Sequence, residues 1–356
     1  MQTVILVVSV LVSIALLIIV VCLLYRAARK AQSARALVIR TLHKIVEGRF
    51  ISIAGRPQWI QIRGERRDNP ILLVLHGGPG VAFSAFTRNF QSWERDFTVV
   101  QWDQPGAGKS ASRRRGQSVE PLTIESMVRD GLEVTEWVLN HLGQRKLILF
   151  ATSWGTILGT QMVRSRPDLF WAYVGAGQVI NTARSELFAY ELAVERARQL
   201  GDEQTLDTLR DVGAPPYLDS TRGERERKAL GKVGVDTFPK LSDMLAAAFY
   251  SPGYSLKDGL SFLRGMQSSL AQLIKPMQAY DAWQLGTTFA IPMFFLQGTL
   301  DLYTPARAVQ EFYEAVDAPQ KALVLWPEEG HFPYFSHPEM VLKELAARVR
   351  PLAQSI

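Results

Sequence analysis

The sequence predicts an α/β protein: a mostly parallel sheet flanked by helices, with an inserted helical cap and an N-terminal transmembrane helix. Three observations predict it. Short apolar runs of strand length alternate with longer amphipathic segments from Phe50 to Gly175 and again from Ile291, the pattern of a parallel sheet covered on both faces. Between Gln178 and Leu285 that alternation stops and the chain reads as helical and charged. An interruption of about a hundred residues inside a sheet fold is expected to form a lid over a site. Val4 to Leu24 is a run of 21 residues without a charge, long enough as a helix to span roughly 30 Å of hydrocarbon.

The expected organisation is therefore an anchor over residues 1–25, a basic juxtamembrane linker or helix over 26–49, a core built from 50–177 and 286–356, and a cap over 178–285. A cleaved secretory signal would place basic residues before a shorter apolar core, but Met1-Gln2-Thr3 carries none. All the flanking cations follow the run. That asymmetry predicts a single-pass anchor with its N-terminus outside, contact with the bilayer through residues 4–24, and a cytoplasmic catalytic domain. From Tyr25 to Val46 there is no acid, and Ala31, Leu37, Val38, Leu42 and Ile45 would share one face of a continued helix. Such a helix would lie on anionic headgroups or serve as a solvated spacer.

Charge placement excludes a tempting alternative. Seven basic residues against the single acid Glu47, between Arg26 and Arg49, account for the whole net charge of +6. The remainder is neutral, so the basic pI of about 9.4 belongs to the juxtamembrane stretch and no nucleic-acid partner is expected. The single cysteine, Cys22, excludes an intrachain disulfide and a cysteine-based metal cluster. Internal repeats and low-complexity tracts are absent from the sequence, and no pattern in it specifies an oligomeric state.

In chain order, Phe50–Ile53 and Trp59–Ile62 flank Gly55-Arg56-Pro57 as a hairpin would. Ile71–Leu75 and Phe97–Trp102 read as buried strands. Thr123 would cap a helix reaching His141, with Gly143 beyond its end. Leu147–Ala151 and Trp171–Gly175 are further strands. Ile291–Gln297 and Ala322–Trp326 follow the cap, separated by a helix from Pro305 to near Val316, and a last helix starts near Pro338.

The chemistry-bearing stretch is Lys146 to Gly159, K-L-I-L-F-A-T-S-W-G-T-I-L-G. A strand runs into Thr152-Ser153-Trp154-Gly155 and a helix-compatible segment follows, so Ser153 sits on a sharp strand-to-helix turn. Such a turn lifts a hydroxyl clear of the sheet as a nucleophile, and it needs small neighbours because helix and strand approach closely. Gly155 meets that need; Ala151 stands where a first glycine is usual. A serine requires a base, and the base an orienting acid. Asp301, in Q-G-T-L-D-L-Y-T-P, and His331, in P-E-E-G-H-F-P, follow the last two strands in the order serine, acid, histidine. Strand C-terminal ends share one edge of such a sheet, where its ligands bind. Of five histidines, His43, His141 and His337 have structural explanations. His76 belongs to Leu75-His76-Gly77-Gly78-Pro79-Gly80, a glycine loop suited to presenting a backbone N–H to an oxyanion. Trp154 would give one such donor, and Gly78 or Gly77 the other.

Taken together, H-G-G-P-G at 76–80, D-Q-P-G-A-G-K-S at 103–110, S-W-G at 153–155 and the loop ending at Asp301 resemble the proline iminopeptidase group of α/β-hydrolases. The resemblance runs from about Arg49 to the C-terminus, outside the apolar segment. It implies a serine hydrolase with a helical cap that removes an N-terminal residue, often proline, from small peptides, with Ser153, Asp301 and His331 as its triad and the 103–110 loop in support. D-Q-P-G stands where D-Q-R-G is more usual, and no Trp-Glu pair, the context in which that group holds a substrate amine, occurs between Gln178 and Leu285. Glu186, Glu191 and Glu195, on one expected helix, are the cap's candidates to bind an ammonium or to form a solvated face.

The leading expectation is a membrane-anchored serine hydrolase acting on a small-molecule or short-peptide substrate through an acyl-enzyme. A carboxylesterase or lipase-like enzyme for membrane-derived esters is the nearest alternative, and a non-catalytic binding module on the same scaffold is a second. Ser153 at the turn disfavours the aspartate nucleophile used by some enzymes of this fold. No cofactor is expected, since the sequence holds neither a metal cluster nor a dinucleotide fingerprint. G-A-G-K-S lacks the first glycine of a phosphate loop.

Overall fold

The structure, a computed structural model, describes residues 1–112, 121–217, 220–235 and 241–353. Short stretches of the expected core and cap, at 113–120, 218–219, 236–240 and 354–356, lie outside the described residues. Helix α1 runs over Gln2–Ala36, and strands β1 (Ile45–Ile53), β2 (Arg56–Gly64), β3 (Ile71–Leu75) and β4 (Thr98–Asp103) follow. Next come α2 (Gly108–Ser112), α3 (Ile124–Leu142), β5 (Leu147–Thr152), α4 (Trp154–Ser165) and β6 (Phe170–Ala176). Helices α5 (Thr182–Leu200), α6 (Glu203–Val212), α7 (Ser220–Val233), α8 (Leu241–Tyr250) and α9 (Leu256–Gln278) interrupt the sheet. It resumes with β7 (Met293–Gly298), α10 (Ala306–Ala315), β8 (Lys321–Trp326), α11 (Pro333–Ser336) and α12 (Pro338–Glu344).

The eight strands are ordered β1-β2-β4-β3-β5-β6-β7-β8. β1 and β2 pair antiparallel, as do β2 and β4, and every pair from β4 onward is parallel. Period-two alternation sorts each central strand between two cores. Ile71, Leu73, Leu75, Leu147, Leu149 and Ala151 face one, against α3, α4 and α10. Leu72, Val74, Ile148 and Phe150 face the other, against the 3-10 segment Phe83–Arg95 and the C-terminal helices. Burial on both faces explains why these strands read as unbroken apolar runs. On α3, Thr123 accepts from the Ser126 N–H in a capping box, and Gly143 ends the helix in the left-handed region.

The juxtamembrane stretch departs from the sequence expectation. A single helix does not continue to Val46; α1 stops at Ala36 and β1 begins at Ile45, before the expected core boundary at residue 50. The cause is pairing: β1 aligns with the whole of β2, Ile45 opposite Gly64, and Ile39 and Ile45 are buried in the fold. Arg63 donates to the Leu37 carbonyl at 2.6 Å and fixes the turn after the helix. The end of α1 also docks on the cap, where Arg26 and Lys30 donate to the Tyr254 carbonyl at 2.9 and 2.7 Å. The rings of Tyr25 and Tyr250 meet edge to face at 6.0 Å. Residues 4–24 are exposed along their whole length, and α1 is long and apolar enough to cross a membrane.

Candidate active site

β5 delivers the chain into Ser153, whose φ of 49° and ψ of −122° lie outside the regions a side chain ordinarily tolerates. Strain of this kind persists only where the surroundings hold it. Here the Ser153 N–H donates to the Ala176 carbonyl at 3.0 Å, and the Thr156 N–H and hydroxyl hold the Ser153 carbonyl at 2.8 and 2.6 Å. A Cβ on Gly155 would fall 2.5 Å from the Leu75 carbonyl oxygen, so a side chain there would force helix and sheet apart. Ala151, the departure from the usual glycine, is accommodated across the interface: its methyl meets Gly159 of α4, where a Cβ would stand 3.0 Å away. Ser153 itself is half-buried, whereas Thr152 and Trp154 are buried.

Asp301 and His331 meet at the ends of β7 and β8. His331 Nδ1 lies 2.7 Å from Asp301 Oδ2, with 2% of the histidine and none of the aspartate exposed. The same oxygen accepts from Gln297 Nε2 and the Thr304 hydroxyl, both at 2.7 Å, while Oδ1 accepts the Tyr303 and Thr304 N–H groups, both at 2.8 Å. Burial alone would raise this carboxyl, but the facing His331 charge and these hydrogen bonds outweigh it and leave it below the ordinary value. The His331 ring packs on Gly177, where a Cβ would come within 2.6 Å of Cε1. Gly177 directly follows Ala176, the residue that holds the Ser153 N–H. Ser153 Cβ in turn faces Gly77, 3.1 Å from where a Cβ would be. The structure thus gathers the serine, the histidine, the aspartate and the glycine loop at one edge of the sheet.

The glycine loop is oriented by His76. Its Nε2 accepts the Gln104 backbone N–H at 3.2 Å, so Nδ1 carries the proton and donates to the Gly77 carbonyl at 2.9 Å. Full burial lowers the imidazole to about 4, keeping it neutral. With the Gly77 carbonyl turned toward His76, the trans peptide aims the Gly78 N–H the opposite way. That argues for Gly78 over Gly77 as the second donor. Trp154 opens α4, and the first N–H groups of a helix have no intrahelical partner. Among the described residues neither N–H has a backbone partner.

The other histidines are engaged elsewhere: His141 with Glu47 at 2.8 Å and His337 with Glu329 at 3.0 Å. On α5, Glu191 pairs with Arg307 at 3.0 Å and Glu195 accepts from Gln199 at 3.2 Å. Glu186 is reachable by solvent, yet packing desolvates its carboxyl enough to raise it. It faces Glu226 of α7, a residue the sequence reading missed. Glu226 is 6% exposed and its Oε1 has no partner. Burial raises this carboxyl and Glu186 adds to the effect, against a hydrogen bond from Tyr217. Gln297 and Gln104 were missed as well, although each stands at a strand end close to a predicted motif. The cap bundle reaches the site through Leu302, next to Asp301, which packs on its small core of Ala193, Leu206, Leu209 and Ala229.

A strained serine at a strand–helix turn, a buried acid–histidine pair and a glycine loop on a mainly parallel sheet define a serine hydrolase of the α/β class. The chain belongs to the alpha/beta hydrolase fold family, whose model matches residues 70–338. It is 31% identical over 308 residues to the probable aminopeptidase YbaC of Bacillus subtilis (strain 168), covering 84% of this chain and 95% of that relative. Among solved structures, the proline iminopeptidase-related protein of Thermus thermophilus matches with a TM-score of 0.58 at 21% identity, over 88% of this chain and all of that one. A membrane phospholipase A described as a bacterial virulence factor matches with a TM-score of 0.63 at 16% identity, over 97% and 99% of the two chains.

Proposed function

We propose that this chain is a membrane-anchored serine aminopeptidase of the iminopeptidase type, cleaving N-terminal residues from short peptides through an acyl-enzyme. The observation that carries the reading is the buried His331–Asp301 pair, joined at 2.7 Å beside the strained Ser153 turn. His331 Nε2 takes the Ser153 Oγ proton as that oxygen attacks the scissile carbonyl carbon. Asp301 holds the imidazole by its Nδ1–H and stabilises the imidazolium. The N–H groups of Gly78 and Trp154 receive the charge that develops on the carbonyl oxygen. As the C–N bond breaks, the leaving amine takes the proton from Nε2. Water, deprotonated by the same nitrogen, then cleaves the ester and restores the serine.

Similarity to a probable aminopeptidase along most of the chain supports the substrate class. The Glu186–Glu226 pair in the cap supports it independently, because a substrate ammonium would relieve two carboxyls raised by burial, Glu226 further by the facing Glu186. The apolar α1 and its basic C-terminal flank support a single-pass anchor that leaves the hydrolase domain on the cytoplasmic side. The test uses the full-length protein in detergent micelles, offered prolyl and other aminoacyl arylamides beside short-chain esters. Aminoacyl arylamide turnover that disappears in Ser153→Ala is expected. Turnover of esters alone would replace this reading with a second one, a carboxylesterase or lipase-like enzyme for membrane-derived esters. What favours that alternative is the phospholipase A structure, which aligns with nearly the whole chain. Absence of fluorophosphonate labelling in folded protein would favour a binding module instead.

A further inference from the structure

Gln104 is 1% exposed and lies between the two halves of the oxyanion site. Its backbone N–H donates to His76 Nε2 at 3.2 Å and its side-chain Nε2 donates to the His76 carbonyl at 3.0 Å. Its Oε1 accepts the indole N–H of Trp154 at 3.1 Å. One side chain therefore ties the 76–78 loop, which comes off β3, to the first residue of α4, which follows β5. The two donors belong to peptide segments about 75 positions apart in the sequence, and Gln104 bridges them through side-chain hydrogen bonds on both sides. The amide suits this place because it donates and accepts at once. A carboxylate could satisfy only the indole, and an apolar side chain neither.

We propose that Gln104 is a positioning residue that sets the separation and aim of the Gly78 and Trp154 N–H groups, and thereby the rate of acylation. The inference rests on the reading of Ser153 as nucleophile and those two groups as oxyanion donors. Loss of one donor typically costs about 10²–10³ in kcat, and a misplaced donor costs a fraction of that. Gln104→Leu is accordingly expected to lower kcat by about 10- to 100-fold with KM nearly unchanged. In Gln104→Glu the ionised side chain keeps the bond from Trp154 and repels the His76 carbonyl. Its protonated form restores both bonds.

The experiment measures kcat, KM and the rate of fluorophosphonate labelling for the full-length wild type, Gln104→Leu, Gln104→Glu and Trp154→Phe, each across pH. Expected results are slowed acylation in Gln104→Leu, a Gln104→Glu activity that recovers relative to wild type as pH falls, and no further loss when Trp154→Phe is added to Gln104→Leu. A merely structural glutamine would move thermal stability without that pH-dependent rescue. Wild-type kcat in folded Gln104→Leu, or a Gln104→Glu to wild-type activity ratio that stays flat with pH, would overturn the proposal. Should Gln104→Leu fail to fold, the Gln104→Glu profile and Trp154→Phe decide alone. Labelling that survives in Ser153→Ala would instead sink the underlying catalytic reading, a distinct result.

Discussion

Asp301, beside His331, and Glu226, in the cap, are both buried carboxylates, and their surroundings are opposite. Asp301, on the sheet, receives five hydrogen bonds and is held below its ordinary value. Glu226, in the cap, has an oxygen with no partner and is raised by burial. Asp103 is intermediate in its pairing: Oδ2 accepts from the Lys109 N–H at 2.8 Å and the Tyr254 hydroxyl at 3.2 Å, while Oδ1 has no partner. Burial pushes this carboxyl up to about 6 against those bonds. A fully paired acid is ready for its task before any substrate arrives. An underpaired one retains capacity for a ligand, because the cost of its burial is not yet offset. The acid at the sheet edge is thus fully paired, while the acid in the cap keeps an oxygen open.

The contrast can be broken at each of the three acids. Asp301→Asn has the largest expected effect, a fall in kcat of about 10⁴-fold as the imidazole loses its correct tautomer. Steady-state kinetics check it, and a drop of less than tenfold would show that the pairing does not serve catalysis. Asp103 is tested through stability. Its raised carboxyl contributes stability that is fully present below its unfolded value of 3.8 and lost as pH rises through about 6. Urea unfolding should therefore show wild type gaining roughly 3 kcal/mol over Asp103→Asn between pH 7 and pH 3. A pH-independent difference would mean that the bonds to Asp103 fully offset the cost of its burial. The smallest effect is expected at Glu226. Glu226→Gln should raise KM for substrates bearing a free amine by about tenfold while leaving uncharged esters unchanged. Equal changes for both substrates would assign the cap pair to packing.

Much of the site was legible because its groups sit at strand ends within short motifs. Ser153, Asp301 and His331 each follow an apolar run, and a parallel sheet brings such ends together whatever the distance along the chain. The start of the core was less legible. Arg40, Lys44, Glu47 and Arg49 read as a solvated linker, but they belong to the turn and first strand, where Ile39 and Ile45 turn inward. An edge strand with one exposed face carries such charges without penalty. Glu226 was illegible for a different reason. It lies in R-G-E-R-E-R-K, a run whose charges suggest a solvated face, and only packing against Tyr217 removes that one acid from water. Gln104 is polar and undistinguished as a letter; its value comes from two partners that the fold brings to it.

The pairing of Ala151 with Gly159 carries a consequence for how relatives are recognised. Clearance between the nucleophile strand and its helix is shared by two positions eight residues apart. The methyl on Ala151 fits because Gly159 carries none, and a Cβ on Gly159 would also come within 2.8 Å of the Tyr173 ring, so here the strand and not the helix carries it. A search pattern that insists on glycine two places before the serine will pass over chains that make the same room from the opposite wall.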